Sequence, residues 1–306
     1  MRALGVAIKE WMEVYKRNEI KEASYLRLET SYQLMLKYSI SNIATANVTT
    51  LDVQRYINKL VEQGYARTTI LKQYRLLTAY FTYATREQII DYSPVLSVAM
   101  PKEDAVLKKK KVPEAYTVPQ QKKLMAVLSS GSRPEYDAMI LMLESGMRIG
   151  EALALTWNDI NWNRRAVTIS KTVIRDRDGS CKVQASPKSE SSNRTIPLST
   201  RAYTLLERRY AEAGDDNEPI FTAPGTTDIV TYNAMKYYGI KACKQAGVPY
   251  YGMHVFRHTF ATNCYHKGCD VKLLSKMLGH ASAAITYNVY IHLYGDALED
   301  MRGIVS

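Results

Sequence analysis

All five histidines of this 306-residue chain lie between His254 and His292. His254 and Arg257 are three positions apart, so on one helix they share a face and can reach the same small target. Arginine presents a planar fork of donors that fits two phosphate oxygens, and it stays charged at any working pH. Histidine adds a group that gains or loses a proton near neutrality. This spacing indicates chemistry on a phosphate-like anion.

A second arginine, Arg148, lies upstream in the segment GMRIGEALAL. Gly146 breaks one apolar helix and another begins, which places Arg148 near a helix N-terminus, where backbone donors also favour an anion. With His280 included, two arginines and two histidines can surround one phosphate. Glu151 is expected to support an arginine or to cap the helix. We interpret His258 as structural or as an indirect support of the site, because neighbouring helical residues face different ways.

Four pieces of sequence occur in one order: Arg148 in GMRIGEALAL, then HVFRHTFAT, then LGH, then Tyr290, which follows His280 by ten residues. In content, order and spacing they resemble the tyrosine recombinase (phage integrase) family, over somewhat more than the C-terminal half of the chain. The flanking segments LTWNDI and NRTIPL also resemble integrases of conjugative transposons and temperate phages.

The resemblance implies a role for each matching residue. Arg148 and Arg257 would bind the non-bridging oxygens of the scissile phosphate, and Tyr290 would attack the phosphorus atom. His254 would act as a general acid or base. His280 would donate a hydrogen bond to the phosphate.

Tyr290 has one nearby competitor among the 23 tyrosines of the chain. Tyr287 lies only seven residues after His280, and no histidine follows it at the family spacing. Tyr290 lies two residues before His292, as the family pattern requires, so we expect Tyr290 to be the nucleophile.

The family also uses a lysine on a β-hairpin, which protonates the leaving 5′ oxygen. Residues 166–174 are rich in β-branched side chains and predict a strand, and the Asp-Gly pair at 178–179 is a hairpin turn signal. Lys188 follows the second predicted strand, six residues before Arg194, and matches the family position. Lys171 is the alternative.

Charge and composition indicate a nucleic-acid binder. The formal net charge is +11, and the excess of basic over acidic residues is larger in the first third of the chain than in the remainder. No apolar run has the length of a membrane span, and the N-terminus does not resemble a signal peptide. The four cysteines have neither CxxC nor zinc-site spacing, so we expect free thiols, no metal site and a cytoplasmic protein without a membrane partner.

The pattern of apolar residues predicts a multidomain protein. Residues 1–100 are expected to form an all-α domain that resembles the SAM-like core-binding domain of these recombinases, with helices over 3–38, from Thr49 to about 63, and over 66–87. Residues 101–113 form a basic linker. Residues 114–306 are expected to form a mixed α+β catalytic domain with a small antiparallel sheet and a C-terminal tail.

Candidate DNA contacts lie on the third predicted helix and in the linker, where basic and polar side chains cluster. They are Arg67, Thr68, Thr69, Lys72, Gln73 and Arg75 on the helix and Lys108, Lys109, Lys110 and Lys111 in the linker.

Together these features predict a site-specific DNA recombinase, the integrase or transposase of a mobile element, that works through a 3′-phosphotyrosine intermediate. No cofactor is expected, neither metal nor ATP, because the covalent intermediate conserves the energy of the broken bond. The resemblance implies double-stranded DNA attachment sites, a tetramer on two DNA sites, and a DNA-bending or excision accessory factor as partners. The alternatives are a type IB topoisomerase-like enzyme and a DNA-binding regulator without catalysis.

Overall fold

The computed structural model describes residues 2–102, 115–175, 180–185, 193–212 and 218–280, together with Ser282, Ala284 and Thr286. The chain forms two compact units, Met1–Lys111 and Val112–Ser306. Among the predicted site residues, Lys188, Tyr290 and the lysine run of the linker lie outside the described residues.

The described part of the first unit is helical and is built around an aromatic and aliphatic core. Trp11 and Tyr80 pack edge to face with ring centroids 5.8 Å apart, and Phe81 packs against Tyr80 at 5.4 Å. The helices are α1 (Leu4–Trp11), which continues through a π-helical segment (Met12–Lys16) into α2 (Arg17–Glu19), then α3 (Glu22–Met35), two 3₁₀ turns (Ser39–Asn42 and Thr45–Asn47), α4 (Thr50–Glu62) and α5 (Arg67–Arg86).

Local sequence signals account for the start of α4 but not for the end of α2. The Thr49 hydroxyl accepts a hydrogen bond from the Asp52 backbone N–H, and the Asp52 carboxylate accepts one from the Thr49 backbone N–H, which confirms the predicted helix start. The helical pattern predicted over residues 3–38 is interrupted at Ile20, whose backbone is extended with φ −116° and ψ 152°. Neither glycine nor proline marks this break, and the helix that follows it, α3, packs against α1.

The second unit surrounds α7 (Pro134–Ser145), which is buried along almost its whole length. Its other described elements are α6 (Val118–Ser130), α8 (Ile149–Leu153), a 3₁₀ turn (Trp157–Asp159), β1 (Ile160–Asn161), β2 (Ala166–Ile169), β3 (Lys171–Arg175), β4 (Cys181–Ala185), β5 (Arg194–Pro197), α9 (Thr200–Glu212), α10 (Tyr232–Gln245), α11 (Met253–His266) and α12 (Val271–Leu278).

The strands form two small antiparallel sheets, in the orders β1-β2-β5 and β3-β4. The single strand predicted over residues 166–174 is therefore divided at Ser170. Val167 pairs with Ile196 of β5, whereas Val173 pairs with Val183 of β4. An all-helical unit followed by a mixed α+β unit with a small antiparallel sheet confirms the predicted fold class. Within the described residues, no helix has both the length and the apolar character needed to cross a membrane.

Helix α5 carries the DNA contacts predicted in the first unit, but only some of these residues are exposed on its surface. Thr68, Lys72 and Arg75 are exposed at helical spacing along one face, and Thr69 is half-buried. The remaining helix candidate besides Gln73 is Arg67, whose Nε donates to the Pro101 carbonyl at 3.4 Å.

Gln73 corrects the sequence prediction. Its side chain is only 1% exposed, and its Oε1 accepts a hydrogen bond from the Tyr56 hydroxyl at 2.9 Å. Adjacent helical positions face different ways, so Gln73 points into the unit although Lys72 directly before it is exposed. Gln73 contributes to the core rather than to a DNA surface.

We therefore expect Gln73→Ala to destabilise the first unit by roughly 1–3 kcal/mol, because it removes the acceptor of a buried Tyr56 hydroxyl. Urea unfolding followed by tryptophan fluorescence measures the change. Lys72→Ala is the matched control, expected to alter the unfolding free energy by less than about 0.5 kcal/mol. Equal stability losses in the two variants would contradict the assignment of Gln73 to the core.

Candidate active site

Three carbonyl groups at the C-terminal end of α12 each accept a hydrogen bond from an arginine. Carbonyls in this position lack partners within the helix and lie at the negative end of its dipole. The arginines come from β5, from α11 and from the start of α8. The bonds are Arg194 Nε to Met277 O at 2.6 Å, Arg257 Nη2 to Leu278 O at 2.7 Å and Arg148 Nη2 to Gly279 O at 3.2 Å. One helix end thus collects both predicted catalytic arginines at consecutive carbonyls.

Glu151 is the counter-charge of this cluster. Its carboxylate accepts from the Arg148 backbone N–H at 2.9 Å and from Arg148 Nη1 at 2.8 Å, which confirms the expected support and capping. Arg194 adds a bidentate pair, with Nη1 and Nη2 at 3.1 and 2.7 Å from the two carboxylate oxygens. Burial alone would raise the pKa of Glu151, but the hydrogen bonds and charges of Arg194 and Arg148 lower it below its ordinary value. Glu151 is therefore an anion at neutral pH.

Arg257 bridges the ends of two helices. It is 3% exposed, and its Nη1 donates to the Gly146 carbonyl at 2.9 Å while its Nη2 binds the end of α12. Gly146 ends α7 with φ +68°, and a Cβ atom at this position would lie 2.4 Å from Cδ1 of Phe260. Only glycine fits this turn, which aims its carbonyl at Arg257.

His254 lies one helical turn before Arg257, in the first turn of α11. Its ring contacts that of His258 edge to face, with centroids 5.3 Å apart, and it keeps an exposed face. Desolvation by the surrounding protein lowers the pKa of His254, and His258, Arg257 and Arg148 lower it further. The imidazole is thus uncharged at neutral pH and able to accept a proton.

His280 is held from two directions just beyond α12. Its backbone N–H donates to the Ser275 carbonyl at 3.1 Å, and its Nδ1 forms a 2.7 Å hydrogen bond with the hydroxyl of the fully buried Thr286. Desolvation, followed by the charges of Arg257 and Arg148, lowers the pKa of His280 to about 4. The ring is neutral at pH 7, with one nitrogen occupied by Thr286.

The structure therefore brings four of the six predicted catalytic residues into one network: Arg148, His254, Arg257 and His280. Arg148 keeps 37% of its side chain exposed, so the cluster has a face open to a ligand. Lys171, the alternative to Lys188, is engaged elsewhere: its Nζ lies 2.8 Å from Asp159 Oδ2 and donates to the Thr156 hydroxyl at 2.9 Å.

Sequence reasoning gave no role to two residues of this network, Arg194 and Thr286. A signal for Arg194 existed in the strand alternation: positions 194 and 196 share a face, and Ile196 is buried. An arginine on the inward face of a strand requires an anionic or carbonyl partner. For Thr286 the sequence offers only its distance of six residues from His280.

Family models match both parts of the chain. A model described as the phage integrase family matches residues 105–296, which is more than half of the chain. The chain belongs to the phage integrase family. A model described as the phage integrase N-terminal SAM-like domain matches residues 4–61 of this integrase family member.

Similar proteins include a tyrosine recombinase and a transposase. A XerC-like tyrosine recombinase of Caldanaerobacter subterraneus subsp. tengcongensis is 28% identical, with 95% of this chain and 79% of the relative covered. The transposase from transposon Tn916 of Enterococcus faecalis is 27% identical over 82% of this chain, and the chain spans only 65% of that transposase.

Solved integrases share the fold. The Tn1549 transposon integrase, solved in complex with a circular intermediate DNA, has a TM-score of 0.83 at 19% identity, with 100% of each chain covered. A lambda integrase tetramer bound to a Holliday junction has a TM-score of 0.68 at 16% identity, covering 94% of this chain and 77% of that one. At these identities the likeness concerns the fold alone.

The Thr286 contact predicts the behaviour of the His280 ring. The Thr286 hydroxyl can donate to Nδ1 or accept from it, but a His280 ring that donates from Nε2 to a phosphate, its predicted role, must accept at Nδ1. We therefore expect Thr286 to donate, and ¹⁵N NMR at pH 7 should show the Nε2–H tautomer as the dominant form in the wild type. Thr286→Ser keeps the hydroxyl and should keep that tautomer, whereas the isosteric Thr286→Val should give a mixture. The same tautomer ratio in all three proteins would contradict the contact.

The lowered pKa of His280 also predicts a pH dependence of stability. Between about pH 4 and the ordinary histidine value of 6.5, the unfolded chain binds more protons at this position than the folded one. The free energy of unfolding of the second unit should therefore fall as the pH falls through this range. His280→Gln, measured by urea unfolding, should make the dependence shallower.

Proposed function

We propose that this chain is a site-specific DNA recombinase, the integrase or transposase of a mobile element, which cleaves and rejoins DNA strands. Membership of the phage integrase family supports the reaction class, and the likeness to the Tn916 transposase supports the mobile element. The observation that carries the proposal is the gathering of Arg148 and Arg257 at one helix end beside two neutral histidines.

In the proposed reaction the Tyr290 hydroxyl attacks a phosphorus atom of DNA. A tyrosine–phosphorus bond forms as the bond to the 5′ oxygen breaks, which leaves a 3′-phosphotyrosine and a free 5′ hydroxyl. The tyrosine proton passes to neutral His254, and Lys188 gives a proton to the leaving oxygen. A 5′ hydroxyl of a partner strand then reverses each transfer. One ester replaces another, so no nucleotide is consumed.

The transition state gathers negative charge on the phosphate oxygens, and fixed donors stabilise it at little cost in reorganisation. Arg148 and Arg257 are preorganised for this role, because each is already held by a backbone carbonyl. His280 adds a neutral donor. These groups take the electrostatic part that metal ions play in other phosphoryl-transfer sites, so we propose a reaction that requires no metal.

The proposed partner is double-stranded DNA carrying attachment sites. The exposed face of α5, with Thr68, Lys72 and Arg75, and the basic linker provide contacts to its backbone. Strand exchange needs four active sites, so we propose a homotetramer on two DNA sites, as the lambda integrase tetramer on a Holliday junction illustrates. A DNA-bending or excision factor stays a prediction from the family resemblance, and we place the reaction in the cytoplasm, with the DNA.

Covalent trapping tests the nucleophile. The full chain is incubated with a pool of duplexes in which the core sequence is randomised. Each duplex carries a nick, so that the short fragment released by cleavage diffuses away. The covalent adducts are then resolved on a denaturing gel. We expect an SDS-resistant protein–DNA band that persists in EDTA, is lost in Tyr290→Phe and is kept in the matched control Tyr287→Phe. DNA binding without any covalent band would refute the recombinase proposal. A band in Tyr290→Phe would show that another residue is the nucleophile.

A sulfur substitution tests the general acid. Lys188→Ala should slow cleavage by roughly 10²- to 10⁴-fold, because the leaving alkoxide then lacks a proton donor. A duplex whose bridging 5′ oxygen is replaced by sulfur should restore the rate, since a thiolate leaves without protonation. Lys171→Ala, measured per folded molecule, should cleave the oxygen substrate at close to the wild-type rate. Rescue of Lys171→Ala instead would reverse the assignment.

A further inference from the structure

Arg194 lies in the flanking NRTIPL segment and not in the four signature pieces. It joins two anchors of the candidate site, the Glu151 carboxylate and the Met277 carbonyl. It is the first residue of β5, and its side chain is only 6% exposed. Nη1 and Nη2 bind the two oxygens of Glu151, and Nε binds the Met277 carbonyl. One planar guanidinium thus connects the start of α8 to the end of α12, a geometry that lysine cannot reproduce.

Each anchor in turn holds catalytic groups. The Glu151 oxygens that Arg194 binds also receive the Arg148 side chain and backbone N–H. The Met277 carbonyl directly precedes those of Leu278 and Gly279, which bind Arg257 and Arg148. Movement of Arg194 would therefore change the orientation of both phosphate-binding arginines.

A similar arrangement lies elsewhere in the same unit and provides a comparison. Asp137 of α7 is buried and binds Arg208 Nη2 at 2.7 Å and Arg209 Nη1 at 2.8 Å. Arg209 also donates to a backbone carbonyl, that of Ile220, at 3.2 and 3.0 Å. Arg209 thus has the same kinds of partner as Arg194, one buried carboxylate and one backbone carbonyl, but in the described part of the chain neither partner binds a predicted catalytic residue.

We propose that Arg194 is a positioning residue of the candidate active site, which orients Arg148 through Glu151 and fixes the end of α12 that holds Arg257. The effect on DNA cleavage rests on the proposed function. The contacts themselves do not.

This role has a pH signature. In the described residues, the charged or titratable groups that face Glu151 are Arg148, Arg194 and Tyr232. Burial raises the pKa of Glu151, and the charges of Arg194 and Arg148 oppose this rise. Without the Arg194 charge the opposition is weaker, so the pKa of Glu151 rises. As the pH falls through the raised pKa, Glu151 is protonated and its hold on Arg148 weakens. The acid limb of the cleavage rate should therefore move to higher pH.

The test compares single-turnover cleavage by Arg194→Gln, Arg194→Lys and the matched control Arg209→Gln, using a nicked duplex recovered by the covalent trapping above. We expect Arg194→Gln to slow cleavage per folded molecule by roughly 10- to 100-fold, with DNA affinity changed less than cleavage. Its acid limb should shift to higher pH. Arg194→Lys keeps the positive charge but lacks the planar guanidinium donors. The acid limb of its pH–rate profile should therefore stay near the wild-type position, while its cleavage rate stays low.

Arg209→Gln should lose stability and keep both the rate per folded molecule and the pH profile. Adding Glu151→Gln to Arg194→Gln should abolish the limb shift, because no carboxyl is left to titrate. An unchanged rate and profile in Arg194→Gln, or an equal shift in Arg209→Gln, would overturn the positioning role. If Arg194→Gln does not fold, Arg194→Lys alone tests the positioning role: a low cleavage rate with a normal pH profile supports it, and a wild-type rate refutes it.

A second measurement separates this proposal from the proposed function. In protein with ¹³C-labelled glutamate carboxyls, Glu151 is assigned by its loss in Glu151→Gln and titrated without DNA. Its pKa should rise in Arg194→Gln and stay unchanged in Arg209→Gln. If the wild type forms no covalent adduct, the recombinase proposal fails, and this titration still decides whether Arg194 controls the Glu151 anion. No rise would refute the proposal.

Discussion

The carbonyl groups that end α12 need donors, and the second unit supplies arginine side chains to three of them in succession. This constraint determines much else in the site. The guanidinium charges require a counter-ion, which Glu151 provides from the first turn of α8. Gly146 must take a left-handed backbone so that its carbonyl reaches Arg257 from the other side. The network connects α7, α8, α11, α12 and β5.

Burial makes this network costly to disturb. Arg257 and Glu151 are almost inaccessible to water, and a buried charge is tolerated only when it is paired and hydrogen-bonded. Removal of one member leaves another uncompensated. In the proposed reaction the same rigidity would serve phosphoryl transfer, because donors already held in place need not reorganise as charge develops on the substrate. Stability and the proposed catalysis therefore place demands on the same residues.

Sequence patterns predicted the parts of the molecule that depend on local rules. The i, i+3 spacing of His254 and Arg257, the glycine before Arg148 and the capping pair of Thr49 and Asp52 each express short-range geometry. The break at Ile20 and the division of the strand at Ser170 are marked by neither glycine nor proline, so no such local rule predicts them.

The orientation of side chains was predicted less well than the elements that carry them. Gln73 lies one position from the exposed Lys72, and only the phase of the helix against the core separates an inner from an outer residue. Arg194 could be recognised as inward-facing from its strand phase, but its partners lie 43 and 83 positions away along the chain. Those distances follow from topology, which no short window contains.

The depressed basicity of both imidazoles separates attraction from proton transfer in this site. Near neutrality neither His254 nor His280 carries charge, so the positive field of the cluster comes from its arginine side chains. Under the proposed function, the number of counterions that these residues displace from DNA is then constant across the neutral range. Under the proposed function, a change of pH within that range therefore leaves the affinity of this cluster for the DNA strand unchanged.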